Sequence, residues 1–228
     1  EIGSGLVGSE MCIRDRYSQL IARRVREQNV YCEVKPCSIS PAEIEKIAPI
    51  GIILSGGPQS VYESVSLRVD PVLFALGIPV LGICYGCQLM AYSLGGTVAA
   101  ATEATAREYG KTLTEFDTHS AIFQDLPASS VTWMSHGDYI SRVPDGFTVT
   151  AKTAVCPTAA MACPEKRLYG VQFHPEVQHT VEGSEMLRRF LYTVCGASGD
   201  WTMADYRQTA IRSIREKVGS GRALLALS

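Results

Sequence analysis

Charge imbalance is what this sequence most plainly lacks. Lysine and arginine number 21, aspartate and glutamate 23, and the formal net charge over 228 residues is −2. A near-balanced chain without a basic stripe offers no footprint for nucleic acid, and the absence of a polybasic run removes the usual attraction to a membrane surface. Long hydrophobic runs are scarce as well. The longest, residues 71–83, is interrupted by Gly77 and Pro79 and falls short of the roughly 20 apolar residues that a spanning helix needs. Nor does an apolar secretory segment precede the eight cysteines, Cys12, Cys32, Cys37, Cys84, Cys87, Cys156, Cys163 and Cys195. Several of these sit in apolar strand-like runs, so reduced thiols and a cytoplasmic location are expected. Cys84 and Cys87 make one C-x-x-C pair without a second, which argues against a structural zinc site, and no metal is expected. A redox role for that pair stays open at this point.

Apolar content is ample, at 46%, enough for one large domain or a domain with a fragment of another. The most informative stretch is Pro79-Val80-Leu81-Gly82-Ile83-Cys84-Tyr85-Gly86-Cys87-Gln88. Val80, Leu81 and Ile83 read as a buried parallel strand. Residues 88–94 read as a helix stopped by Gly95-Gly96. The junction, Gly82-x-Cys84-x-Gly86, is the cysteine form of a nucleophile elbow, a sharp strand-to-helix turn that exposes its central residue at the end of a sheet. The helix N-terminus there favours a thiolate. A structural cysteine in an α/β core would fit the same pattern.

Some ninety residues on comes Tyr169-Gly170-Val171-Gln172-Phe173-His174-Pro175-Glu176. Residues 168–173 have strand character, and positions two apart in extended chain share a side. Glu176 can then orient the His174 imidazole, the nucleophile–base–orienter logic of a triad. Alone, His-Pro-Glu is as well explained by a surface turn. Paired with the elbow it makes a candidate catalytic set of Cys84, His174 and Glu176.

The rest of the chain alternates. A helical face at Leu20, Ile21, Arg24 and Val25 precedes a strand at residues 30–34. Ser40-Pro41-Ala42-Glu43 is a capping box with proline at the first helical position. Gly51-Ile52-Ile53-Leu54 is a strand turning out through Ser55-Gly56-Gly57-Pro58, and Asp70-Pro71 opens a helix that Gly77 ends. Such alternation predicts a doubly wound, mostly parallel sheet with ligands beyond the strand ends, where Gly57, Cys84 and His174 gather. After Gly96 the character turns to β, with strands at 97–100, 109–114, 131–134 and 148–152 and a hairpin at 164–167. Tyr109 and the apolar residues of 97–114 read as core, and His119 as an exposed loop residue. A helix at 182–194 closes the domain. Residues 195–200 read as a linker, 203–218 as an amphipathic helix, and 223–228 as the start of an apolar strand. Residues 1–16 show neither helical nor strand periodicity.

Gly82-Ile83-Cys84-Tyr85-Gly86-Cys87-Gln88 and Gly170-Val171-Gln172-Phe173-His174-Pro175-Glu176 resemble the two signatures of class I, triad-type glutamine amidotransferases. Leu54-Ser55-Gly56-Gly57-Pro58-Gln59-Ser60-Val61-Tyr62, Trp133-Met134-Ser135-His136-Gly137-Asp138 and Val177-Gln178-His179-Thr180 resemble the glutaminase part of the GMP synthetase family. The resemblance runs from about Tyr17 onward. It implies a flavodoxin-like α/β fold with an added β-rich second half, and three parts: an atypical segment 1–16, foreign to the fold where the family has a first strand; an amidotransferase domain 17–196; and a linker helix with the first strand of an ATP pyrophosphatase domain in 197–228. It also implies hydrolysis of glutamine through a Cys84 thioester, with oxyanion donors at the Tyr85 N–H and Gly57. Gln88, Ser135, His136, Gly137 and Asp138 would hold the amino-acid end of glutamine, the lesser alternative for Gln88 being a polar residue that faces solvent from a first helical turn. Asp138 and His179 are implied in synthetase-domain contacts or gating. No cofactor is implied for the glutaminase, whereas ATP and Mg²⁺ belong to the synthetase domain, expected in cis and with a homodimer through that region. The alternatives are a non-catalytic binding protein on the same fold and a stand-alone amidotransferase subunit.

Overall fold

The computed structural model describes residues 16–55, 60–62, 69–100 and 107–221. The expectations for residues 1–15, for Gly57 and for the strand at 223–228 lie outside these.

Helix α1 (Arg16–Glu27) buries Ile21, Ala22 and Val25, the face its spacing marks out. Helix α2 (Pro41–Ile47) starts on the expected box: Ser40 Oγ accepts from the Glu43 N–H at 3.3 Å, and the Glu43 carboxylate accepts from the Ser40 N–H at 3.0 Å. These bonds satisfy donors that the first helical turn leaves without a partner. Strand β1 (Ile52–Leu54) follows. A short 3₁₀ helix, Pro71–Ala75, capped by Asp70, leads through Gly77 at φ 72° to β2 (Val80–Ile83). Helix α3 (Tyr85–Ser93) runs back from the end of β2.

Strands β3 (Thr97–Ala100) and β6 (Asp138–Arg142) form a small antiparallel ribbon. Strands β4 (Glu108–Phe116), β5 (Ser129–His136), β7 (Thr148–Lys152), β8 (Ala160–Cys163) and β9 (Leu168–Val171) complete the main sheet. Its order is β1-β2-β9-β8-β7-β4-β5. The first three strands are parallel, and from β9 outward every pairing is antiparallel. The β-rich half thus extends the same sheet. Helix α4 (Gly183–Arg189), continued by a π-helical turn over Phe190–Val194, and the amphipathic α5 (Met203–Val218) close the chain.

Alternation along the parallel strands sends side chains to two cores. Ile53, Leu81, Ile83, Tyr169 and Val171 meet α1 and α4 on one face; Ile52, Leu54, Val80 and Leu168 meet α2 and α3 on the other. This is the doubly wound arrangement that strands buried on both faces require.

Several local expectations change. Residues 30–34 keep strand-like alternation, with Val30 and Cys32 buried, but have no ladder partner among the described residues and so form no strand. Tyr109 is not core: it projects from β4 at 71% exposure, on the face opposite buried Glu108. Residues 135–138 span a tight corner between two strands. Ser135 and His136 end β5, Asp138 begins β6, and Gly137 alone makes the corner. Strand β6 was not foreseen, and β8 is the first arm of the hairpin expected at 164–167; all four residues of β8 are buried, so it lacks the alternation of a one-sided strand.

Candidate active site

The junction of β2 and α3 is as strained as the sequence pattern requires. Cys84 sits at φ 52° and ψ −109°, a backbone region that a residue with a side chain rarely enters. Two glycines make the turn sterically possible. A Cβ on Gly82 would lie 2.7 Å from the Gly86 carbonyl and the Cys87 nitrogen, and one on Gly86 would collide with the Leu54 backbone. The strain is held by the sheet: the Cys84 N–H donates to the Val171 carbonyl of β9 at 2.8 Å, and the Cys84 carbonyl accepts from the N–H groups of Cys87 and Gln88.

Register then delivers the base. Gly82 pairs with Gly170 and Ile83 with Val171, so the chain leaves β2 and β9 at the same level, Cys84 on one strand and residues 172–176 on its neighbour. His174 Nδ1 donates to Glu176 Oε1 at 2.8 Å, and the ring is also hydrogen-bonded to Cys84. The two residues meet across a turn at Pro175 and not along an extended strand. That turn is pinned from three sides. Thr180 Oγ1 donates to the His174 carbonyl at 2.6 Å and accepts from the Trp133 N–H at 3.0 Å. The His174 N–H donates to the Trp133 carbonyl, and Arg24 Nε of α1 donates to the Glu176 carbonyl at 2.9 Å. Both His174 and Glu176 are buried. Burial alone would lower the imidazole pKa, but hydrogen bonds and charge from Cys84 and Glu176 outweigh it and raise it to about 11.

The other sequence candidates fall in different places. Tyr85 is the first residue of α3, directly after the nucleophile. Gly57 lies outside the described residues. Gln88 does not face solvent: it is buried, and its Nε2 donates to the Asp138 carbonyl at 2.8 Å and to Gln172 Oε1 at 3.0 Å. Ser135 brings its carbonyl to 3.8 Å from Cys84 Sγ. The His136 ring is turned to the Asp138 carbonyl and to Glu108, while Gly137 and Asp138 form the corner beside it. Cys87 is fully buried, pressed so close to Gly170 that a Cβ there would come within 2.5 Å of its sulfur. Burial pushes its thiol well above the usual range, which places Cys87 in packing. His119 is exposed, as expected.

Three residues that sequence reasoning missed complete the site: Gln172, Thr180 and Arg24. Gln172 Nε2 lies 3.6 Å from Cys84 Sγ. A glutamine closing the apolar run Leu168-Tyr169-Gly170-Val171 was its visible signal. Chemically, the set joins a strained thiol, a charged imidazole and a buried carboxylate, the requirements of covalent attack on a carbonyl followed by proton delivery to the leaving group.

Comparison with known proteins points the same way. The family model described as glutamine amidotransferase class-I matches residues 13–194. The GMP synthase [glutamine-hydrolyzing] of Clostridium botulinum strain Alaska E43 is 53% identical over 213 residues, and that of strain Hall is 54% identical over 213. The matches span 93% of this chain but 41% of each relative, so the chain covers about two fifths of their length. A crystal structure described as that of a GMP synthase subunit from Thermoplasma acidophilum superposes with a TM-score of 0.72 at 28% identity, over 92% of this chain and 99% of that one. A glutamine amidotransferase from Thermotoga maritima shares the fold at 19% identity, with a TM-score of 0.65 over 86% of this chain and 100% of that one.

Proposed function

The chain belongs to the class I glutamine amidotransferase family, and we propose that it is the glutaminase part of a GMP synthase, releasing ammonia from glutamine for the amination of XMP. The observation that carries this reading is the buried His174 bonded to both Cys84 and Glu176 at a strained elbow. Sequence identity above half to proteins named GMP synthase supports the specific assignment.

In this reading Cys84, paired as thiolate with the His174 imidazolium, attacks the side-chain carboxamide of glutamine. The carbonyl π electrons move to oxygen. The Tyr85 N–H at the start of α3, with Gly57, receives that oxyanion. His174 gives its proton to the departing amine, so ammonia leaves and a γ-glutamyl thioester remains. Neutral His174 then takes a proton from water as the water attacks the thioester; glutamate departs and the thiolate–imidazolium pair returns. Glu176 keeps Nδ1 protonated and stabilises the charged ring. Gln88 and residues 135–138 shape the wall that receives the amino-acid end of the substrate. These steps use side chains and backbone of this chain and no cofactor. ATP and Mg²⁺ serve a synthetase portion, in cis by analogy with the longer relatives and paired there as a homodimer. The seven cysteines among the described residues are free, which fits the cytoplasm, and no described helix is long and apolar enough to cross a membrane.

The test is direct. A diazo-ketone analogue of glutamine should label Cys84, and glutamate formation should disappear in Cys84→Ala. Label mapped to Cys87, or turnover surviving in Cys84→Ala, would overturn the assignment.

A further inference from the structure

Beside the β5–β6 corner lies a second group of chemically active side chains, none of which makes or breaks a bond in glutamine hydrolysis. Glu108 opens β4, His136 ends β5, and Cys156 follows β7; all three are buried. One ligand atom from each lies within 4.8 Å of the others. Glu108 Oε2 faces His136 Nε2 at 3.5 Å, their side chains 7% and 1% exposed, and neither atom has a hydrogen-bond partner.

That arrangement is electrostatically incomplete. A backbone carbonyl can only accept, so the 3.0 Å contact between His136 Nδ1 and the Asp138 carbonyl fixes the proton on Nδ1. In the neutral ring, Nε2 then presents a lone pair to a carboxylate oxygen, acceptor against acceptor, with both side chains buried. Two buried acceptors that face each other repel, and burial makes that costly unless a proton or a metal cation lies between them. A thiol sulfur is the third group facing the same space.

We propose that Glu108, His136 and Cys156 bind one divalent cation of the zinc class. A carboxylate, a neutral imidazole and a thiolate are all zinc ligands, and their summed charge of −2 neutralises the ion, which suits a buried site. Tetrahedral zinc places its ligand atoms about 3.3–3.8 Å apart, so side chains already within 4.8 Å need move inward only by about an ångström. The surroundings are those of a metal site. His136 donates its second ring N–H to a carbonyl. Glu108 Oε1 accepts from Thr153 Oγ1 at 2.7 Å, leaving Oε2 turned inward. Thr153 Oγ1 also accepts from the Cys156 N–H at 2.9 Å, in a tight turn closed by the Thr153 N–H donating to the Cys156 carbonyl. Such outer bonds orient ligands and fix the imidazole tautomer. Three protein ligands leave a fourth position for water. The ion ties β4, β5 and the turn after β7 to the corner whose Asp138 carbonyl holds Gln88.

The experiment uses the full chain carrying Cys84→Ala, because Cys84, His174 and Glu176 are a second thiol–imidazole–carboxylate set that would also take metal. Stripped of metal with a chelator, it is titrated with Co²⁺ and then Zn²⁺. One Co²⁺ per chain is expected, with thiolate-to-cobalt charge-transfer absorption and the strong visible bands of tetrahedral cobalt, all removed by Zn²⁺. Adding Cys156→Ala should abolish the charge-transfer band. Adding Glu108→Gln, which still accepts from Thr153, should weaken Co²⁺ binding by about 100-fold while the circular dichroism stays unchanged. If Cys156→Ala fails to fold, Glu108→Gln decides. Absence of saturable binding at micromolar Co²⁺, a charge-transfer band surviving Cys156→Ala, or unaltered affinity in a folded Glu108→Gln would each overturn the site and leave a proton as the bridge between the facing acceptors.

Discussion

Gln172 Nε2 stands 3.6 Å from Cys84 Sγ, and Gln172 Oε1 accepts from Gln88 Nε2 at 3.0 Å. The nucleophile therefore has a hydrogen-bonded tether in addition to its base, running through Gln88 to the Asp138 carbonyl. Hydrogen bonds to charged groups contribute about 1.5–3 kcal/mol, and an amide N–H donated to sulfur favours thiolate over thiol. Gln172→Leu keeps the volume and removes the donor. Alkylation of Cys84 at neutral pH should slow by about tenfold or more. An unchanged rate in a folded variant would show that the contact leaves the sulfur unaffected.

Two glycines in the same region should respond very differently to alanine. Gly86→Ala drives a methyl into the Leu54 backbone, which the sheet cannot move aside. A loss of about 3 kcal/mol is expected, with collapse of the elbow and of glutaminase activity. Gly77 has φ 72° but nothing within 4 Å of an added Cβ, so Gly77→Ala should cost only the left-handed backbone penalty, about 1–2 kcal/mol, and spare the active site. Urea unfolding and glutamate release on both variants check this. Equal losses would mean that the Leu54 backbone gives way and that the clash does not set the requirement at Gly86.

The elbow was legible in the sequence because strand, strained residue and two glycines are contiguous there, and a local motif carries its own geometry. His174 and Glu176 were legible as a pair for the same reason, although the spacing argument assumed extended chain and the residues meet across a turn. What lay hidden depends on contacts between distant segments. Thr180 and Arg24 reach the triad through backbone carbonyls, to which no side-chain motif points. His136 reads in the sequence only as a substrate residue; its partner Glu108, 28 positions earlier, is seen only across the β4–β5 ladder, where the two are paired in register. Residues 30–34 show the reverse case: alternation marks burial of Val30 and Cys32 correctly, yet a strand also needs a neighbour.

Thr180 offers a way to loosen the base without touching the triad. Its hydroxyl both donates to the His174 carbonyl and accepts from the Trp133 N–H, in a buried position. Thr180→Val preserves shape but leaves a buried carbonyl and a buried N–H unsatisfied, at a cost of about 1–3 kcal/mol for each. Turnover should fall by about tenfold with little change in the KM for glutamine, and Thr180→Ser should restore it. If the serine variant were as impaired as the valine, the methyl group and its packing would be responsible instead.

The charge on His174 can be read across pH. Its pKa, ordinarily 6.5, is raised to about 11: burial favours the neutral ring, but hydrogen bonds and charge from Cys84 and Glu176 favour the imidazolium more strongly. A folded-state pKa above the unfolded one means that the folded protein holds the proton more tightly. The resulting stabilisation is fully present below about pH 6.5, declines as pH rises, and is gone once pH passes about 11. Nitrogen chemical shifts of the His174 ring should therefore remain those of an imidazolium from pH 6 to pH 9. Cys84→Ala removes one of the two groups that favour the proton, so its His174 should titrate at lower pH than in the parent, and stability above pH 7 should fall less steeply as pH rises. A parent ring that titrates near 6.5 would remove the thiolate–imidazolium pair from the resting enzyme. Cys84 would then have to be deprotonated by neutral His174 only as glutamine arrives, and alkylation of the free enzyme would follow a thiol and not an ion pair.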